Sequence, residues 1–353
     1  MQLKTDDFGP APQPAPTPQP AKARALPAIP VIDVGPRYAI DLIEKAPRVV
    51  HALLDDAGGH MPAAALRAAD AISRAWLARW GSPYLPEIDA VRRLLRRPGA
   101  HFFNVHYEWG CTTGAKPAPD GGSARLVRVL DWKTHGLGRN VVAARVKCAA
   151  GDWVTLTWPG YTGVLQGMAP GRFCAAINQA PMRSPLGAFY LDWAANRARV
   201  WRLSHPTPAH LLRHVFEAAP DYATARRMLV ETPICAPAIF TLAGLAAEET
   251  CVIERQEDSA AVAEGGLRGA CTANDWQHSR AAPARGRGCE NAARVALLDG
   301  VGADFDPGLP WLKEPVLNPT TRLVLIADAR QGRLLAQGFE AGGAATRPLE
   351  LAA

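Results

Sequence analysis

The chain is 353 residues long, which suits two average domains or one large α/β or α+β domain. Hydrophobic residues make up 48% and charged residues 20%, which excludes a chain disordered throughout. The formal charge of +6 is too mild to call for nucleic acid, though it permits contact with an anionic membrane surface or an acidic ligand. Seven cysteines include no CxxC pair and no zinc-type spacing, so most of them read as small buried apolar groups in a reducing compartment. The N-terminus has no apolar leader, and the longest apolar run, 235–247, is broken by Pro237, Thr241 and Gly244. A cytoplasmic location is the expectation.

Residues 1–30 hold eight prolines and read as an extended arm. Residues 31–110 read as a helical segment. There Leu66, Ala69, Ile72, Trp76 and Trp80 recur at three- and four-residue steps, which predicts one apolar helix face. Asp70 and Arg74 are spaced as an i,i+4 pair on the other side, and Gly81 supplies the stop. A second helix, Pro86 to Arg97, presents Arg92, Arg93, Arg96 and Arg97 as a solvated basic face. The Trp and Leu content of 66–95 suits a cover over a lipid groove, although such faces more often meet the core. After residue 100 the period shortens. Runs at 101–109, 123–132, 141–148, 153–158 and 172–178 predict an antiparallel sheet, punctuated by Gly, Pro and Asp clusters. Helices follow near 207–218 and 221–231. Strands return at 251–255, 268–274 and 323–339, the last a hairpin turning near Asp328 to Gly332. This order predicts a layered α+β fold.

Walker A, G-x-G-x-x-G, H-E-x-x-H and G-x-S-x-G motifs are absent. His210 and His214 stand four apart without a carboxylate on their face, so they read as ordinary histidines. No metal and no cofactor is expected. The sharpest feature is Cys111 in FFNVHYEWGCTTG, directly after Gly110. Arg128 and Asp131 follow in LVRVLDW. They are three apart, and on one strand they face opposite sides, so a bend is needed if both reach one site. Asn274 in TANDW and Arg287 come much later. A cysteine near arginines has the makings of a nucleophile. On residues alone, a buried thiol with two surface arginines stays an open alternative.

Six blocks in one order resemble the acid ceramidase and N-acylethanolamine acid amidase group, related to the choloylglycine hydrolases. They are FFNVHYEWGCTTG, ARLVRVLDW, WPGYTGVLQGMAPGRFCAAINQ, YATARRMLVETPICAPAIFTLAG, TANDW with RGCENAAR, and TTRLVLIADARQGRLLAQGF. The resemblance implies an αββα sandwich of antiparallel sheets, the fold of N-terminal-nucleophile hydrolases. It also implies self-cleavage between Gly110 and Cys111, leaving a 1–110 piece bound to a catalytic 111–353 piece. Cys111 would then be the nucleophile and its own α-amine the base, since amine and thiol have ordinary pKa values close to one another. Arg128 would stabilise the thiolate, and Asp131 would orient the ammonium. Asn274, with a backbone N–H near Asn178 and Gln179, would form the oxyanion site. Arg287 would hold Asp131 or the Cys111 region, with Arg280 and Arg285 competing for that alignment. The implied substrate is an N-acyl amide with an apolar acyl chain.

Two departures stand out. The neighbours of Arg128 are Val127 and Val129, where the group often has Gly and Asn. Gln179 stands where ceramidases often carry a glutamate. Two alternatives remain open at this stage. One is the same chemistry used for acyl transfer or for β-lactams or acyl-homoserine lactones. The other is a chain that never cleaves and only binds a lipid or partner.

Overall fold

The computed structural model describes residues 25–56, 62–106, 108–279 and 283–352. Most of the proline-rich arm lies outside them. Its end is tied down: the Pro27 carbonyl accepts from the Arg347 N–H (2.8 Å) and the Pro30 carbonyl from the Ala143 N–H (2.9 Å).

Strand β1 (Val31–Val34) comes first, then helices α1 (Tyr38–Lys45), α2 (Pro47–Asp56), α3 (Ala63–Arg79), α4 (Leu85–Leu95) and α5 (Ala100–Phe103). Strands β2 (Gly110–Pro117), β3 (Ala124–Asp131), β4 (Val142–Val146), β5 (Trp153–Thr157), β6 (Gln166–Ala169), β7 (Phe173–Gln179) and β8 (Met182–Arg183) follow. Helices α6 (Phe189–Arg202), α7 (Pro208–Ala218) and α8 (Tyr222–Glu231) lead to β9 (Ala238–Ala243), β10 (Thr250–Arg255), β11 (Ala260–Glu264), β12 (Ala270–Thr272) and β13 (Ala284–Arg285). Helix α9 (Asn291–Asp299) precedes β14 (Thr321–Asp328), β15 (Arg333–Glu340), β16 (Gly343–Ala344) and β17 (Leu349–Ala352).

Two sheets result. One runs β1-β4-β5-β6-β7-β9-β10-β11; the other runs β12-β2-β3-β14-β15-β16, with β17 also on β15. Strands β2 and β3 pack on β7 and β9, so the sheets stack face to face. Helices α7 and α8 pack on the first sheet and α9 on the second. This is the αββα sandwich the resemblance implies. One ladder departs from the antiparallel rule: β1 pairs parallel with β4, Val31 opposite Ala143. The N-terminal segment is therefore not purely helical; it supplies an edge strand to the first sheet.

Strand parity sets the chemistry. Leu126 and Leu130 join the core between the sheets, together with Cys111 and Ala115. Val127 and Val129 face the other way, packing with Leu298 of α9. Arg128 thus points into the layer between the sheets, and Asp131 has the parity of the α9 side.

The N-terminal helices correct three expectations. In α3 the buried residues are Asp70, Ser73, Trp76 and Leu77, while Ile72 is 48% exposed. Asp70 turns inward because it accepts three backbone N–H groups at the start of α5, from Gly99 (2.6 Å), His101 (3.0 Å) and Phe102 (2.9 Å). Arg74 pairs with Asp89 instead (2.8 Å). The same cap makes 100–103 helical, so the strand predicted at 101–109 opens as a helix, and its described residues 101–106, 108 and 109 form no strand. His210 is buried between the hydroxyls of Thr162 (2.9 Å) and Thr207 (3.0 Å), and burial pushes its pKa down to about 3. It is a neutral core residue.

Candidate active site

Cys111 is the second residue of β2 and is fully buried, opposite Leu130 of β3. Its inward parity aims the sulfur at Arg128. Arg128 Nη2 donates to Cys111 Sγ at 3.0 Å and to the Ile177 carbonyl at 2.8 Å. Arg128 Nη1 donates to Asn178 Oδ1 (2.9 Å) and Thr113 Oγ1 (3.2 Å). Thr113 also donates to Asn178 Oδ1 at 2.6 Å. The Asn178 amide is anchored in turn by donation to the Ala273 carbonyl (2.9 Å). The guanidinium is held by oxygens and the sulfur, so its charge is directed at the thiol.

Burial nevertheless dominates the thiol. Desolvation pushes the Cys111 pKa up to about 12; Arg128, Arg294 and a hydrogen bond from Trp109 pull it down, while Asp131 pushes it up. In this arrangement the sulfur is therefore protonated at neutral pH.

Asp131 closes β3 opposite Gly110. The bend expected between Arg128 and Asp131 is not found in β3, whose register with β2 is unbroken; the bulge lies in β14, between Thr321 and Leu323, and Asp131 meets the Gly110–Cys111 backbone from the α9 side. Asp131 Oδ1 accepts from Thr321 Oγ1 (2.9 Å) and Oδ2 lies 3.3 Å from Arg294 Nη2. Burial raises its pKa, with Arg294 the largest opposing influence.

The Cys111 backbone N–H donates to Asn274 Oδ1 at 2.6 Å, and Asn274 Nδ2 donates to the Gln179 carbonyl at 2.8 Å. Gln179 Oε1 accepts from the Trp109 N–H (2.9 Å), one residue before Gly110. The neutral side chain that departs from the ceramidase pattern is thus used to hold the chain next to the expected cut.

Cys111, Arg128, Asp131, Asn178, Gln179 and Asn274 are brought to one place. Arg287 lies to the side: its Nε donates to the Ala180 carbonyl (2.8 Å) and its Nη1 pairs with Glu108. Desolvation lowers its pKa to about 10, which leaves it protonated at neutral pH. Arg285 is exposed, and Arg280 lies outside the described residues. The arginine on Asp131 is Arg294, which the sequence reading missed. Its Nη2 also donates to the Cys111 carbonyl and its Nε to Thr112 Oγ1 (2.8 Å). It is the last residue of RGCENAAR, and its signal was position on a helix that turns a buried face to β2.

Above the sulfur lies a run of aromatic rings. Trp109 is 5.6 Å from Trp132, and Trp132 is 5.7 Å from Trp158. Beside them is a cavity of about 50 Å³ lined by Trp109, Asn178, Gln179 and Arg197. Among the described residues no group of three or more His, Cys, Asp or Glu is placed to hold a metal, and no helix is long and apolar enough to cross a membrane.

Two antiparallel sheets stacked between helices are the fold of the N-terminal-nucleophile hydrolases. Within that class the chain resembles the acid ceramidase and N-acylethanolamine acid amidase group. It is 33% identical over 102 residues to human acid ceramidase, 28% of this chain and 24% of that protein. The mouse protein gives 33% over 100 residues, 28% of this chain and 23% of that one. The match therefore spans about a quarter of these relatives' length. The N-acylethanolamine-hydrolyzing acid amidase ortholog of Caenorhabditis elegans superposes with TM-score 0.50 at 17% identity, covering 68% of this chain and 99% of that one. A conjugated bile acid hydrolase from Clostridium perfringens is more distant: TM-score 0.40, 10% identity, 69% of this chain and 92% of that one. No family model matches the chain.

Proposed function

We propose that the protein is an amidohydrolase of N-acyl amides that cuts its own chain between Gly110 and Cys111 and then uses Cys111 as an N-terminal nucleophile. The observation that carries this reading is the meeting of sulfur, nitrogen and charge at one residue. Arg128 stands 3.0 Å from the Cys111 sulfur, and Asn274 stands 2.6 Å from its nitrogen. Asp131 pairs with the residue immediately before it.

The first step is attack of Cys111 Sγ on the Gly110 carbonyl carbon. A C–S bond forms, the Gly110–Cys111 C–N bond breaks, and the thiol proton passes to the departing nitrogen. Water then hydrolyses the thioester, giving a Gly110 carboxylate and a free Cys111 α-amine. That amine has an ordinary pKa close to that of a thiol, so it can take the Sγ proton. The thiolate, opposite the fixed Arg128 charge, attacks the substrate carbonyl. Asn274 Nδ2 and a backbone N–H near Asn178 and Gln179 face the oxyanion once Nδ2 exchanges the Gln179 carbonyl for it. Asp131, held by Arg294 and Thr321, orients the ammonium, which protonates the leaving amine. Water releases the acid from the thioester and restores the thiol. The substrates are linear amides with an apolar acyl chain, by analogy with the relatives' names.

The test is intact mass on the purified protein with a panel of N-acyl amides. Two pieces of 110 and 243 residues are expected, with an acyl adduct on the larger one. Cys111→Ala should give only the 353-residue chain and a loss of turnover of at least about 10³-fold. A wild-type chain that stays whole, or a Cys111→Ala variant with unchanged hydrolysis, removes the reading.

A further inference from the structure

Glu108 lies three residues before Cys111, and its two oxygens engage two different arginines. Oε1 accepts from Arg197 Nη2, and Oε2 pairs with Arg287 Nη1. Both guanidiniums are largely shielded, Arg197 at 12% and Arg287 at 18% side-chain exposure. Glu108 is more open, at 38%. Each arginine has a further contact: Arg287 Nε donates to the Ala180 carbonyl (2.8 Å), while Arg197 Nη1 donates to His106 Nδ1 (3.2 Å) and its guanidinium lies over the Trp193 ring (5.2 Å). Both belong to the part of the chain after Gly110.

Cys111 has no exposed surface, so no outside amide reaches its sulfur while the chain around it keeps this arrangement. The residue that bonds the thiol from above is Trp109, next to Glu108. A cut after Gly110 frees both to move together. The Arg197 side chain then borders the same cavity as Asn178 and Gln179, which back the reacting sulfur. Two desolvated guanidiniums that meet on one carboxylate, with Arg197 also bordering the cavity, favour an anion strongly over a neutral hydroxyl.

Building on the hydrolase reading above, we propose that Arg197 and Arg287 form a carboxylate subsite. Glu108 fills it in the uncut chain, and an acid group of the substrate fills it in the cut enzyme. The preferred substrate is an N-acyl amide that carries a carboxylate, either on the amine portion, as in an N-acyl amino acid, or on the acyl portion.

The experiment measures kcat/KM of the self-cut enzyme on three amides: an N-acylglycine, the N-acylethanolamine with the same acyl chain, and an ethanolamide of a dicarboxylic acid. One of the two acidic amides should be favoured over the neutral one by at least about tenfold, and which one identifies the side that bears the acid. Arg197→Gln should erase that preference, mainly through KM, and Arg197→Lys should restore part of it. The wild-type preference should also fall as salt rises. A wild type without preference, or an Arg197→Gln variant that loses charged and neutral substrates equally, overturns the subsite. Turnover of the neutral amide alone removes only this inference; turnover of none of the three removes the hydrolase reading with it. If Arg197→Gln does not fold, the wild-type preference and its salt dependence decide.

Discussion

The chain changes character at residue 110. Downstream, β2 pairs with β3 through eight consecutive residues, Gly110 to Pro117. Upstream, residues 104–106, 108 and 109 belong to no strand or helix. They are held by side chains: Asn104 to the Gly160 and Ala100 carbonyls, Glu108 to two arginines, the Trp109 N–H to Gln179. A ladder is cooperative and resists local opening, whereas single side-chain anchors release one at a time. The expected cut falls on the border between the two, where one product keeps its sheet and the other loses its backbone continuity.

Alkylation sharpens this contrast most. In the uncut chain the Cys111 thiol is buried with its pKa near 12, so at pH 8 only about 1 in 10⁴ carries the reactive thiolate. The raised pKa means that reactivity climbs with pH through the whole accessible range. Exposed Cys289 should react first. Peptide mapping separates peptides that span Gly110–Cys111 from those that begin at Cys111. The second kind should be labelled at least about 10³-fold faster. Equal labelling would erase the distinction between the two states.

Arg128→Lys breaks the downstream side. Lysine keeps a charge but not the fork that reaches the sulfur, Asn178 and the Ile177 carbonyl together. Turnover should fall about 100-fold, read as kcat on any amide the wild type accepts. Asp70→Ala breaks the upstream side. Three N–H groups at the start of α5 lose their acceptor, at a cost of about 2 kcal/mol, read as a lowered thermal midpoint. Its effect on the chemistry should be far smaller than that of Arg128→Lys.

The same border divides what the sequence made legible. Downstream, alternation and turn residues place β3, β4, β5, β7 and the β14–β15 hairpin, because strands packed between layers write their period into the chain. Cys111, Arg128, Asp131 and Asn274 were singled out through order of blocks, and the fold assembles them. Upstream, tertiary contacts override local pattern. Asp70 looks like a surface partner for Arg74 and is instead a buried cap. The aromatic run at 101–109 looks like a strand, but it opens in a helical turn, and 104–106, 108 and 109 are irregular. Arg294 was passed over because an arginine on a helix is ordinarily solvated; only the sheet beneath α9 makes it a partner of Asp131. Strand β1 was invisible because four residues after a proline-rich stretch carry little periodic signal.

That small strand has an outsized bearing on how the protein can be handled. Val31–Val34 covers the border of the first sheet along Val142–Val146, which otherwise has β5 on one side only. Producing residues 111–353 by themselves would bare a row of unmatched amides and carbonyls on β4, an invitation to stack with another copy. A cut after Gly110 would therefore not by itself part the two pieces, since the shorter one would also hem the longer.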